Sequence, residues 1–184
     1  MSNPIFRALQ QRLDQYSMGF PKTQSGIEIK ILEKLFSIED AKIFLQLSPR
    51  LETPDQVAPR VEKSPEETSA ILADMAHRGL LFSLKKKDTT RYGAIPFVHG
   101  LFEFQINKMD RELAAMVRQY MDEEFKDAMS SSLADFLRVI PVHKSVETRT
   151  QVAAYEDAIK ILEKADPIVI SDCSCRKSSK LIDT

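Results

Sequence analysis

The sequence contains few of the residues on which enzyme and disulfide signatures depend. Its 184 residues include only two cysteines and five glycines. Two cysteines cannot form the disulfide framework of a small secreted protein, and so few glycines provide no phosphate-cradling loop. The nucleophile motif Gly-x-Ser-x-Gly and the zinc motif His-Glu-x-x-His are also missing. We therefore predict a protein that is not an enzyme.

Long apolar runs and an excess of one charge are missing as well. No stretch approaches the roughly 18 uninterrupted apolar residues of a membrane-spanning helix, and the first residues lack the pattern of a signal peptide. The 26 Lys and Arg residues balance the 27 Asp and Glu residues, so the net charge is −1. Any nucleic-acid-binding surface must therefore be local. These absences predict a soluble, cytoplasmic protein without a membrane partner.

Apolar residues at helical spacing fill the first quarter of the chain. They predict helices over residues 3–16, 27–36 and 38–47. The second of these helices follows Ser25-Gly26-Ile27-Glu28, which has the pattern of a capping box. In that motif the Ser25 hydroxyl accepts from backbone N–H groups and the Glu28 carboxylate reaches back to the cap.

Two closely spaced helix starts carry the clearest local signal. Thr53-Pro54-Asp55-Gln56 and Ser64-Pro65-Glu66-Glu67 each pair a capping hydroxyl with proline at the first helical position. The first helix must be short, and we expect Pro59 to distort it or end it early. The second is predicted to run from Pro65 to about Arg78, with Gly79 as its C-cap. A short helix, a tight turn and a longer helix form a helix-turn-helix.

A strand–turn–strand pattern follows the second of these helices. Residues 80–84 and 91–95 are strand-like, and residues 85–90 form a charged turn between them. With the helix-turn-helix, this predicts a winged-helix domain over residues 1–98. The candidate DNA-binding residues, which could neutralise phosphates, are Lys85, Lys86, Lys87, Arg91 and Arg78. The outward face of the second helix is acidic, so a domain that serves only as a protein-interaction scaffold is an open alternative.

Residues 101–125 have the pattern of one long amphipathic helix. At about 1.5 Å per residue such a helix is roughly 36 Å long, which is more than a small domain covers. We therefore predict that residues 99–129 link two lobes or form a homodimer interface. The candidate dimer surface consists of Phe102, Ile106, Met109, Leu113, Met116 and Tyr120.

The remaining residues, 130–184, predict a small α/β segment that ends near two cysteines. A strand over 138–142, a helix over 150–165 and a buried strand over 167–170 lead to Cys173 and Cys175. On an extended backbone these two side chains point the same way, so both sulfurs can reach one metal ion. The neighbouring charges of Arg176 and Lys177 favour the thiolate.

A complete zinc or cluster site needs about four ligands. The chain has only two cysteines, and the other candidate ligands are His99 and His143. Two incidental cysteines without a metal are the alternative interpretation.

Several stretches together resemble one known family. They are residues 19–32, the stretch Met75-Ala76-His77-Arg78-Gly79-Leu80-Leu81-Phe82, residues 92–105, and residues 165–177 with their Cys-Ser-Cys-Arg-Lys sequence. Over nearly its whole length the chain resembles 4Fe-4S ferredoxin-type proteins of anaerobic bacteria and archaea that carry an N-terminal winged-helix region. In that family Cys-x-Cys-Arg is the first of several cysteine motifs. Cys173 and Cys175 match it, whereas no later cysteine is present here.

The resemblance implies an iron–sulfur electron-transfer protein with an unidentified redox partner. Cys173 and Cys175 would be the first two ligands of a 4Fe-4S cluster, next to Arg176 and Lys177, with the other ligands outside these 184 residues. The alternative is a winged-helix transcriptional regulator that senses redox state. The expected fold is mainly α (α+β): a winged helix-turn-helix domain, a long amphipathic helix and a small α/β C-terminal segment.

Overall fold

The computed structural model describes residues 3–125, 155–166 and 168–183. This part of the chain is mainly helical and contains a two-stranded antiparallel sheet. None of the described helices is long and apolar enough to cross a bilayer. The elements are α1 (Pro4–Leu13), α2 (Ile27–Leu35), α3 (Ile38–Gln46), α4 (Pro54–Val61), α5 (Pro65–His77), β1 (Phe82–Lys86), β2 (Thr89–Gly93), α6 (Phe102–Phe104), α7 (Arg111–Tyr120), α8 (Tyr155–Lys164) and α9 (Ser174–Ile182).

The predicted helices of the first quarter of the chain are present as α1, α2 and α3. Helix α1 packs on α2 and α3, and α2 packs on α7. Their apolar stripes meet in one core, as the helical spacing of these residues predicts. The largest fully buried side chains of this core include Tyr120, Phe20, Phe44, Phe97, Leu9 and Leu13.

The start of α2 differs from the predicted capping box. Gly26 is the N-cap residue, with φ +71°, and the Ser25 hydroxyl accepts from the Ile27 N–H at 3.3 Å. The Glu28 side chain points into the protein, where it is fully buried and pairs with Arg7 at 2.9 Å. It also accepts a hydrogen bond from the Thr23 hydroxyl. The prediction for Glu28 was wrong because these partners, distant in sequence, satisfy the carboxylate in the interior.

The two helices of the predicted helix-turn-helix begin at the expected residues. Pro59 does not end α4, which continues to Val61. Because proline has no backbone N–H, the helix lacks one intrahelical hydrogen bond at this position, and the proline is exposed. The N-cap hydroxyl of α5, from Ser64, accepts from the Glu67 N–H at 3.1 Å. Helix α5 stops before Gly79, whose φ of +78° favours glycine. The predicted start and end of α5 are therefore confirmed.

The hairpin that follows α5 has a shorter turn than predicted. In its register Leu84 faces Arg91 and Lys86 faces Thr89, so only Lys87 and Asp88 lie between the strands. Lys85 and Lys86 belong to β1. The charged segment was assigned to a long turn because lysine and aspartate are poor strand formers, whereas in the structure strand pairing continues up to Thr89.

The predicted long helix over residues 101–125 is interrupted. The one-turn helix α6 is followed by turns, and α7 begins only after Asp110. Asp110 is the N-cap of α7, and its carboxylate accepts from the Leu113 N–H at 2.7 Å. This local bond starts a new helix. The prediction of one continuous helix over residues 101–125 was therefore wrong. Residues 126–129 of the predicted linking segment 99–129 lie outside the described residues.

The apolar stripe of this segment packs inside the same chain. Phe102, Met109, Leu113 and Tyr120 are buried, and Ile106 and Met116 are partly buried. The apolar residues do lie at helical spacing, as predicted. The spacing continues across the break because α6 and α7 face the same core. All of them except Ile106 therefore contribute to the core of this chain, and the stripe does not form a free dimer surface.

The described residues of the C-terminal part include the helices α8 and α9. Helix α8 lies within the predicted helix over 150–165. The predicted buried strand over 167–170 is wrong: Ile168, Val169 and Ile170 are exposed, and no described residue pairs with them as a strand. High β-propensity does not hold a strand without a hydrogen-bonded neighbour. The predicted strand over 138–142 lies outside the described residues.

Candidate functional site

Both cysteines lie at the beginning of α9. Cys173 is the N-cap residue and Cys175 lies in the first turn. The backbone at Cys175 is therefore helical, whereas the sequence analysis predicted an extended one. Both thiols are free and exposed. The structure thus places the two cysteines at the start of a helix and not on an extended strand.

The surroundings of Cys173 favour its thiolate. The backbone N–H of Arg176 is the main cause that lowers the pKa of the thiol, and the N–H of Cys175 and the charge of Arg176 act in the same direction. Thiols at the N-terminus of a helix commonly have a lowered pKa. Lys177, the other predicted basic neighbour, pairs with Asp172 at 3.3 Å.

The two thiols are an incomplete ligand set. No group of three or more His, Cys, Asp and Glu side chains that could hold a metal ion is found among the described residues. His99 is exposed in the turn before α6, and His143 lies outside the described residues. Cys173 and Cys175 can therefore supply two of the roughly four ligands that a tetrahedral or cluster site needs.

Helix α9 is attached to α7 by two arginines. The Arg111 Nε and Nη2 atoms donate to the carbonyls of Leu181 and Ile182, at 3.0 Å each. The Arg118 guanidinium pairs with Asp183 at 3.2 Å. The Leu181 and Ile182 carbonyls belong to the last turn of α9, where carbonyls lack intrahelical partners. Sequence analysis missed this contact, although the spacing of the two arginines along α7 places them on one face of the helix.

The segment between α6 and α7 contacts the end of α5. The Gln105 side chain donates to the carbonyls of Arg78 and Gly79, at 3.1 and 3.2 Å, and Lys108 donates to the His77 carbonyl at 3.1 Å. A Cβ atom on Gly79 would lie 2.8 Å from the Phe104 carbonyl oxygen, so this contact requires glycine. Helix α7 thus begins next to the C-terminus of α5 and holds α9 at the same time.

Arg78, a predicted phosphate contact, is engaged within the chain. Its guanidinium forms two hydrogen bonds with the Asp40 carboxylate, at 2.6 and 2.9 Å, and one with Asp74 at 2.8 Å. The bonds with Asp40 are the main reason why the pKa of Arg78 is raised. A guanidinium that already donates to two carboxylates has few N–H groups available to bind a phosphate.

The other predicted DNA contacts are accessible. Lys85, Lys86, Lys87 and Arg91 are all exposed on the hairpin, and none of them forms an ion pair with another described residue. The exposed side of α5 is acidic, as predicted, with Glu66, Glu67 and Asp74. The free positive charge of this region is therefore on the hairpin.

A further polar network with buried members lies at α1 and α2. It joins α1 and α2 through Arg7, Gln10, Thr23 and Glu28, and its groups are satisfied by one another, as expected for a structural network. No protein-family model, curated protein or solved structure matches this chain.

Proposed function

We propose that this chain is the winged-helix portion of an iron–sulfur electron-transfer protein, with Cys173 and Cys175 as two ligands of a 4Fe-4S cluster. The observation that carries the proposal is the pair of free, exposed thiols at the N-terminus of α9, where backbone N–H groups lower the pKa of Cys173. Thiolates are the usual ligands of such clusters. When bound, the cluster supplies one-electron transfer to and from a redox partner.

The residues of this chain have two tasks in the proposal. The N–H groups of Arg176 and Cys175 lower the pKa of Cys173 and so favour its thiolate, and hydrogen bonds to sulfur tune the potential of a cluster. Arg111 and Arg118 fix the position of α9 on the rest of the protein. Because the sequence has no further cysteine, the proposal requires additional thiolates from outside these 184 residues.

The winged-helix fold is part of this proposal. It is supported by the order of α4, a tight connection, the longer α5 and a two-stranded hairpin directly after α5. The antiparallel bridge between Glu52 and Tyr92 attaches the hairpin to the segment before α4. In this assignment the winged helix carries α7 and, through it, the cysteine helix α9.

The test is the iron and sulfide content of the protein purified from its own gene without oxygen. Wild type should be brown and contain both elements, and Cys173→Ser and Cys175→Ser should each lower the content. Ser174→Ala, between the two cysteines, is the matched control and should not. A folded, colourless wild type without iron would overturn the proposal.

A winged-helix transcriptional regulator is the second candidate. The observation that favours it is the set of hairpin cations without carboxylate partners among the described residues. It predicts binding to duplex DNA from its own promoter region with a steep dependence on salt. Replacement of Lys85, Lys86 and Lys87 by glutamate should abolish the binding, and tight duplex binding that survives this replacement would contradict the candidate.

A further inference from the structure

One face of the hairpin is exposed and combines apolar and basic side chains. Directly opposite residues of an antiparallel pair lie on the same face, and residues along a strand alternate between faces. We call this surface the outer face; it carries the side chains of Phe82, Leu84, Lys86, Thr89 and Arg91, and Gly93 also lies on it. Lys85 is on the other face, which also carries Tyr92, a buried residue.

The base of the outer face is apolar. Phe82 is 40% exposed and Leu84 is 45% exposed. Phe104 of α6, which is 42% exposed, lies beside Phe82 with the ring centroids 6.5 Å apart. A single exposed apolar residue is ordinary, but three that adjoin one another mark a contact surface.

The upper part of the outer face is positively charged. Lys86 and Arg91 lie on it, and Lys87 is next to them in the turn. Among the described residues none of the three has a carboxylate partner, and the Arg91 side chain donates a hydrogen bond to the Leu51 carbonyl, at 3.5 Å. The surface is therefore complementary to an anion that also has flat apolar groups.

We propose that the outer face, together with Lys87 and Phe104, binds single-stranded nucleic acid. Phosphates would contact Lys86, Lys87 and Arg91, and unpaired bases would stack on Phe82 and Phe104. In a duplex the bases already stack on each other, so aromatic side chains would gain little from it. This inference requires no cluster at Cys173 and Cys175.

The chemistry of the surface distinguishes this partner from two others. A duplex reader would place α5 in the major groove, but the exposed side of α5 carries Glu66, Glu67 and Asp74. A bilayer of anionic lipid carries phosphates but no unpaired bases that could stack on Phe82 and Phe104.

The first experiment measures fluorescence anisotropy with labelled oligothymidine of about 12 nucleotides. The competitors are the matched duplex and vesicles of anionic phospholipid. Three cations on a single strand predict a slope of log affinity against log salt of about −2. Lys86→Glu should weaken binding and bring the slope about 1 closer to zero. Lys85→Glu makes the same charge change on the opposite face and should weaken binding less.

The second experiment tests the aromatic contact. Phe82→Leu keeps an apolar side chain but removes the ring, and it should lower affinity by about fivefold or more. Phe82→Tyr keeps the ring and should bind like wild type; circular dichroism checks that both variants fold. Three results would overturn the proposal: duplex or vesicles preferred to the single strand, equal losses for Lys85→Glu and Lys86→Glu, or no loss in Phe82→Leu.

Discussion

Replacement of Asp40 by asparagine tests the ion pair that joins α3 to α5. The Asp40 side chain is only 8% exposed. Its carboxylate accepts from both terminal nitrogens of Arg78, at 2.9 and 2.6 Å, and from the Ser37 N–H and hydroxyl at the start of α3. The substitution keeps the size of the side chain but removes the charge, and one of its two oxygens becomes an N–H donor that faces Arg78.

The expected loss of unfolding free energy follows from these contacts. Hydrogen bonds to charged groups contribute about 1.5–3 kcal/mol each, and the Ser37 cap on the backbone N–H of residue 40 is unchanged. Since Arg78 is one-third exposed and keeps Asp74 as a partner, we discount the sum and expect Asp40→Asn to lose about 3 kcal/mol. Asp74→Asn is the matched control: Asp74 binds the same guanidinium but is 62% exposed, so its loss should be about 0.5 kcal/mol or less.

The same pair predicts a dependence on pH with a definite sign. Burial raises the pKa of Asp40, but the hydrogen bonds from Arg78 and Ser37 outweigh burial, and the pKa is lowered. The stabilisation is therefore complete above the unfolded pKa of about 3.9 and is lost as the pH falls through the folded pKa. Urea unfolding followed by circular dichroism should show the gap between wild type and Asp40→Asn closing in acid. A gap that stays constant, or Asp40→Asn as stable as Asp74→Asn, would refute the reasoning.

Two further predictions concern α9. In the Cys175→Ser variant Cys173 is the only thiol of these 184 residues, and iodoacetamide should alkylate it at lower pH in the folded protein than in urea. The reason is that the folded state lowers the pKa of this thiol. Identical pH profiles of alkylation in the two states would contradict this. Arg111→Ala removes the hydrogen bonds to the Leu181 and Ile182 carbonyls. Hydrogen exchange of the α9 amides, followed by mass spectrometry, should therefore become faster, while exchange in α3, the internal control, should not change. Unchanged exchange in α9 would show that Arg111 does not stabilise this helix.

The helix starts were predictable because they depend on neighbouring residues. A hydroxyl before proline begins α4 and α5, and Gly79 ends α5, as the sequence indicated. Each of these signals acts within about one turn of helix. The hairpin was predictable for the same reason, although its turn is shorter because strand pairing continues to Thr89.

The break before α7 was masked by continuous apolar spacing, and the role of Glu28 was not predictable from local patterns. Apolar spacing continues across Asp110 because both sides of the break pack on one core. Glu28 has the position of a capping residue, but its buried carboxylate pairs with Arg7, which lies 21 positions away in the sequence. Periodicity reports which side of a segment is buried, not whether the segment is continuous.

For the candidate sites, the kinds of group were evident in the sequence, whereas the tertiary structure decides which of them are available. Two neighbouring thiols and a cluster of lysines can be read from residue order alone. Folding engages Arg78 with Asp40, 38 positions away, buries most of the apolar stripe around α7, and leaves the hairpin cations exposed. It also places Cys173 where N–H groups of α9 favour its thiolate. The physical reason is that composition and spacing act over a few residues, while burial and ion pairing depend on segments that only the fold brings together.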